Sequence, residues 1–200
     1  MKTHKLLILS FLVLLVHAAE WSIPLKNEAS DYGCGSKNMM LYYPLGIPGG
    51  VECFVGHANP LTRNDRVLMR FDLGEYYLLE QLPELQSAWL EFTIQYSVNA
   101  EGHVLVIEHL DYERDALAKE DLATDSATAV AQAPIAERRH RIDVTDAVRG
   151  DLSARNLYAA FRFSSTCGNA PNETAQPIGC RIRTDLGAPA EVPRLVLVFP

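Results

Sequence analysis

The chain has 200 residues, a formal net charge of −7, four cysteines and a hydrophobic fraction of 48%. That length suits one domain with a sizeable core, and the acidic balance opposes binding to nucleic acid or to an anionic membrane surface. It also disfavours polyanionic ligands, unless a local basic patch overcomes the overall field.

Residues 2–18 read as a secretory signal peptide. Lys2 and Lys5 precede an apolar run from Leu6 to Val16, broken only by Ser10, and Val16-His17-Ala18 offers a small-residue cleavage site. The run is too short for a bilayer span. The expected mature chain is residues 19–200, a single soluble domain that is extracellular, at the cell surface or periplasmic. An even number of cysteines in an exported chain points to disulfides. Of the three pairings of Cys34, Cys53, Cys167 and Cys180, the local one is expected, Cys34 with Cys53 and Cys167 with Cys180. Each loop closure would contribute about 3 kcal/mol. A zinc site would call for a Cys-x-x-Cys spacing, which does not occur.

Taken in order, Trp21–Leu25, Met39–Tyr43 and Glu52–Gly56 read as short strands separated by turn-rich stretches. Arg66–Leu73 is the clearest strand. Val67, Met69, Phe71 and Leu73 point one way, and Leu68, Arg70 and Asp72 the other. Ala88, Leu90, Phe92, Ile94 and Tyr96 then alternate with Trp89, Glu91, Thr93 and Gln95. This predicts a long half-buried strand with Trp89 on its polar side. His103–Leu110 is nearly all apolar and reads as a strand covered on both faces. The turn at Asn99–Gly102 is expected to fold it back on its predecessor as a hairpin. Asp111–Pro134, rich in Ala and acids, is expected to be a short helix or a long loop over one end of the sheets. Arg138–Val144, Leu157–Phe163, a short segment from Ile182 and Leu195–Phe199 return to strand pattern, with one helical turn at Asp146–Arg149. The prediction is an all-β fold, an antiparallel β-sandwich of jelly-roll type with about eight to ten strands.

Four segments carry a resemblance: Arg66-Val-Leu-Met-Arg-Phe-Asp-Leu73, Ser87-Ala-Trp-Leu-Glu-Phe92, Ile142-Asp-Val-Thr-Asp-Ala-Val148 and Pro193-Arg-Leu-Val-Leu-Val198. In this order they resemble the secreted β-sandwich family of bacterial and archaeal DNRLRE-type domains. Carbohydrate-binding modules, some of them alginate-binding, are related to that family. The family's Trp-x-Glu-x-x-Val-Thr-Trp loop aligns with Ala118–Asp125, where Glu120 and Thr124 match but both tryptophans are missing. The cysteine pairs are additions to the pattern. The resemblance implies a β-sandwich and, through the related modules, a polysaccharide ligand.

Each candidate for chemistry has a functional and a structural reading. Trp89 on a polar face can stack against a pyranose ring or can belong to a second small core roofed by Asp111–Pro134. Tyr112, with Tyr42, Tyr43, Tyr76 and Tyr77, would widen a sugar platform or serve a protein interface. Arg138-Arg139-His140-Arg141 is the one dense basic cluster. Arg138, Arg139 and Arg141 would hold carboxylates of a uronic-acid polymer, although in a strand only alternate members share a face. The same cluster would otherwise protect an edge strand by its charge. Asp72 and Asp143 would sit beside a structural Ca²⁺, or would cap turns and pair with Arg70 and Arg194; no motif supports a bound ion or other cofactor. His57, His103 and His109 share no motif with a Ser, a Cys or paired carboxylates, so no catalytic residue is assigned.

The sequence therefore reads as a non-catalytic module for extracellular polysaccharide. The alternative is a structural or assembly subunit of a surface layer, appendage or matrix, joined through protein contacts such as strand addition.

Overall fold

The computed structural model describes residues 18–26, 31–36, 39–41, 54–57, 65–79, 83–111, 121–122, 127–169, 176–183 and 191–200. In chain order the strands are β1 (Ala19–Pro24), β2 (Tyr32–Ser36), β3 (Met39–Leu41), β4 (Phe54–His57), β5 (Arg66–Asp72), β6 (Ser87–Val98), β7 (Val104–Leu110), β8 (Thr128–Pro134), β9 (Arg139–Asp143), β10 (Tyr158–Ser165), β11 (Ile178–Ile182) and β12 (Arg194–Phe199). Among the described residues, the helix α1 (Thr145–Ala154), two 3₁₀ turns, Tyr76–Leu78 and Thr166–Asn169, and the helical residues Asp121 and Leu122 complete the elements.

The strands form two six-stranded sheets. The first runs β1-β12-β6-β11-β4, with β9 also paired to β6, and the second runs β3-β2-β5-β10-β7-β8. Among the described residues every pairing between these strands is antiparallel. The predicted all-β antiparallel sandwich is the fold that forms. Among the described residues no helix is long and apolar enough to cross a membrane.

Period-two alternation decides what lies between the sheets. Val67, Met69 and Phe71 of β5 share one core with Ala88, Leu90, Phe92 and Ile94 of β6, Phe161 and Phe163 of β10, and Leu195 and Leu197 of β12. Phe92 from the first sheet meets Phe163 from the second edge-on, with ring centroids 5.1 Å apart. Such contacts join the layers, and each fully buried aromatic or aliphatic side chain contributes about 1.5–3 kcal/mol.

The outer face of the second sheet is also covered. Leu68, Leu110, Ala160 and Leu122 form a smaller apolar cluster there. Arg162 donates to both carboxylate oxygens of Glu108 at 2.8 Å and to the carbonyl of Asp121 at 3.1 Å. Arg70 donates twice to Asp31 Oδ1, and both residues are buried. These arginines satisfy the carbonyls and carboxylates that a covered polar face would otherwise leave unpaired. The part of Asp111–Pro134 described around Leu122 thus packs on the second sheet and not on Trp89.

Four further expectations are corrected. The turn at Asn99–Gly102 does not make a hairpin. Asn99 (φ 47°) and Gly102 (φ 75°) carry the chain from the first sheet to the second, where β7 gains a partner on each side, β10 and β8. Thr128–Pro134, expected in a loop or helix, is strand β8; its Ala-rich sequence has weak strand propensity, and pairing with β7 overrides it. The single helical turn at Asp146–Arg149 extends to the ten residues of α1. Tyr96 does not continue the inward row of β6. A register shift against β11 puts Ile94 opposite Ile182 but Tyr96 opposite Arg181, and this bulge leaves Tyr96 46% exposed.

One of the two cysteine pairs also departs from expectation. Cys167 and Cys180 are both buried and both free, so the bond expected between them is not formed. Burial pushes both thiols up, and for Cys180 the neighbouring Cys167 adds to it, to about 12. Buried thiols in this state stay protonated, and disulfide exchange requires a thiolate. Cys34, buried in β2, is disulfide-bonded, and its expected partner Cys53 lies outside the described residues.

Candidate functional site

The outward row of β6 organises the candidate site. Trp89, Glu91 and Thr93 alternate with the buried Leu90 and Phe92. The strands on either side bring their own outward residues into line with this row. Glu91 lies opposite Arg194 of β12 and Arg141 of β9, Thr93 opposite Arg139, and Trp89 opposite Val196 and Asp143.

The Glu91 carboxylate is the hub. It accepts from the guanidinium of Arg139 and from Arg194 Nε at 2.8 Å. Arg141 Nε stands 3.6 Å from its other oxygen, and Arg141 is also 3.7 Å from Glu20 Oε1. Glu91 is 7% exposed, whereas the Arg139 and Arg141 side chains are about half exposed. The Arg141 guanidinium carbon lies 4.8 Å from the centroid of the Trp89 ring, and the indole N–H donates to Ser87 Oγ at 3.1 Å. Glu20, Ser22, Glu91, Arg139, His140, Arg141, Arg194 and Val196 line an open groove of about 620 Å³.

Three guanidiniums share two carboxylates there, so the groove keeps a positive surplus although the whole chain is acidic. Each guanidinium has five N–H donors, and the contacts to Glu91 and Glu20 use only some of them. The arrangement can present planar donors to an anion beside an aromatic ring that can pack on an apolar surface.

His140 supports this groove from the core side. Its ring stacks on Phe92 (centroids 5.2 Å apart, interplanar angle 10°), and its Nε2 lies 3.0 Å from the Ala136 carbonyl, which can only accept. Burial lowers its pKa; the Ala136 carbonyl opposes this, and the charge of Arg138 reinforces it. His140 is accordingly neutral at pH 7.

Of the ligand-binding residues picked from sequence, Trp89, Arg139 and Arg141 meet in one place. Arg138 does not join them. It precedes β9, its carbonyl accepts from Ile94 N–H at 3.0 Å, and by alternation it falls out of the row of Arg139 and Arg141. Tyr112, with Tyr42 and Tyr43, lies outside the described residues. Tyr76 and Tyr77 belong to the interior instead. Tyr76 stacks on Phe199 and donates to the Pro83 carbonyl at 2.7 Å, and Tyr77 donates to the Asn156 carbonyl at 2.9 Å.

The turn-capping reading of Asp72 and Asp143 is the one found. Asp72 accepts from Gly74 N–H and Lys26, and Asp143 from the amide and hydroxyl of Thr145 at the start of α1. Their expected arginine partners go elsewhere, Arg70 to Asp31 and Arg194 to Glu91. Among the described residues no group of three or more His, Cys, Asp or Glu is placed to hold a metal ion.

Sequence reasoning did not assign Glu91 and Arg194 to the site. Glu91 sits two residues from Trp89, on the same face, and that spacing was a readable signal. Arg194 is 103 residues from Glu91, and only the β6–β12 register brings them together. The chain matches no family model and no curated protein sequence.

Proposed function

We propose that the protein is a non-catalytic, secreted module that binds acidic polysaccharide on the outer face of its first sheet. One observation carries this reading: Arg139, Arg141 and Arg194 converge on the single buried carboxylate of Glu91 beside a half-buried Trp89. A surplus of planar donors next to an aromatic ring fits a pyranose that bears a carboxylate or sulfate. The leader-like residues 2–18 and the resemblance to carbohydrate-binding β-sandwiches support the same reading.

The test is affinity electrophoresis through gels containing alginate, pectin or a neutral glucan, at a salt concentration that screens simple charge attraction. Retardation by an acidic polymer, lost in a folded Trp89→Ala variant, is the expected result. Equal mobility in every gel would reject it.

A second reading, assembly through protein contacts, draws on exposed leucines. Leu78 and Leu157 are 82% and 55% exposed. They lie at one end of the sandwich, where Leu73 N–H bonds to the Leu157 carbonyl. A sedimentation coefficient that rises with protein concentration, and no longer does so after Leu78→Ser, would favour that reading.

A further inference from the structure

The same sheet face carries a second aromatic–guanidinium pair. Tyr96 also lies on β6, and the guanidinium carbon of Arg181 on β11 lies 5.7 Å from the centroid of its ring. Chain alternation would have sent Tyr96 inward behind Ile94; the bulge before it turns it outward. A large aromatic left 46% exposed on a strand by a break in register is not explained by core packing. Bulges recur where a sheet re-aims a side chain.

The two pairs are built alike. Each has its aromatic ring on β6 and its arginine on a strand paired with β6, β9 for Trp89–Arg141 and β11 for Tyr96–Arg181. Trp89 and Tyr96 are seven positions apart, roughly 20 Å along a strand. Half-buried Thr93 and exposed Gln95 lie between them in the strand and offer polar side chains.

We propose that Tyr96 and Arg181 form a second subsite, and that the ligand is an internal stretch of an anionic polysaccharide lying along β6. This rests on the polysaccharide reading above. A site with two anchors separated by the length of several linked sugars binds a chain's interior. It gains affinity with ligand length until both anchors are filled, because the second contact is made within one complex. The shared chemistry is a pyranose ring with an anionic group, and the anion can be a carboxylate or a sulfate.

The experiment is calorimetric titration of the wild-type protein and of Tyr96→Ala, Tyr96→Phe and Arg181→Ala with oligogalacturonates and oligoguluronates from disaccharide to octasaccharide. A parallel series uses sulfated oligosaccharides of the same lengths. Circular dichroism and melting curves confirm that each variant is folded. Wild-type affinity should rise with length and then level off. Tyr96→Ala and Arg181→Ala should weaken the octasaccharide about tenfold, as expected for loss of one ring or cation–π contact, and leave the disaccharide unchanged. Tyr96→Phe should bind like wild type. Whichever series shows this pattern identifies the anion. Length-independent binding, or a Tyr96→Ala protein that binds the octasaccharide as wild type does, overturns the second subsite and leaves the polysaccharide reading standing. If the wild type binds no oligomer in either series, both fail.

Discussion

Arg141 lies over the Trp89 ring, with its guanidinium carbon 4.8 Å from the ring centroid. The contact partly covers the indole in the free protein, and no described segment roofs it. The chain contains two tryptophans, so Trp89 emission can be followed against a constant Trp21 background. Arg141→Ala should shift the emission to longer wavelength and increase quenching by iodide. Arg141→Lys should fall between, because an ammonium keeps the charge but not the planar stack. An unchanged spectrum in Arg141→Ala would show that the guanidinium does not shield the ring in solution.

Glu91→Gln separates the two roles of the hub. The amide keeps shape and one acceptor oxygen but removes the charge that Arg139, Arg141 and Arg194 share. A nearly buried carboxylate with one partner at 2.8 Å contributes more than a surface ion pair, while the half-exposed Arg139 and Arg141 are partly screened. The variant should lose about 1–2 kcal/mol in urea unfolding. Its affinity for acidic polysaccharide should rise, since the three guanidiniums are then uncompensated there except for Glu20. Reduced stability together with reduced retention would show that Glu91 acts by placing the arginines and not by neutralising them.

The sheets were legible where alternation is local. Val67, Met69 and Phe71 are buried as their spacing requires, and so are Ala88, Leu90, Phe92 and Ile94. What escaped was set at long range. Leu68 and Arg70 do face away from the main core, yet they are buried because distant segments carrying Leu122 and Asp31 cover them. Strand β8 exists because β7 has an edge to fill, and no property of Thr128–Pro134 announces it. The bulge at Tyr96 leaves no mark in the residues around it. The same division runs through the site: Trp89, Arg139 and Arg141 could be picked by residue type, but Arg194 reaches Glu91 only through the register of β12.

Gly56 and Gly179 are paired opposite each other on β4 and β11, with φ of 130° and 146°. A Cβ on Gly179 would lie 2.2 Å from the Val55 carbonyl oxygen, and one on Gly56 would lie 2.4 Å from that of Ile178. Both clashes are with backbone, which cannot rotate away. Gly179→Ala should therefore cost at least about 2 kcal/mol by combined strain and clash. Gly150 is the internal control. It sits in α1 with nothing within 4 Å of its would-be Cβ, so Gly150→Ala should stabilise by about 0.5–1 kcal/mol through helix propensity. Urea midpoints that move in the same direction for both variants would contradict this.

His140 gives stability a dependence on pH whose sign can be worked out. Burial holds its folded pKa below the ordinary value of 6.5. In the unfolded chain the ring takes up a proton as pH falls through about 6.5, while in the folded chain it stays neutral until lower pH. The unfolded state then binds more protons in that window, so stability falls as pH is lowered and is constant in this term above about pH 7. Asp72, Glu108 and Asp143 act in a separate window. Burial works against Asp72 and Glu108, but Lys26 and Arg162 outweigh it, and Thr145 holds Asp143 down. Their stabilisation is lost only from about pH 4 downwards. His140→Gln keeps a donor for the Ala136 carbonyl and does not titrate. Urea unfolding of both proteins at pH 7.5, 7.0, 6.5 and 5.5 isolates the difference, because every other titrating group is common to the two. The wild type should lose more stability than His140→Gln between pH 6.5 and 5.5 and no more between 7.5 and 7. Parallel curves would mean that the ring is protonated in the folded state as easily as in the unfolded one, and that the groove above it carries another positive charge at mildly acid pH.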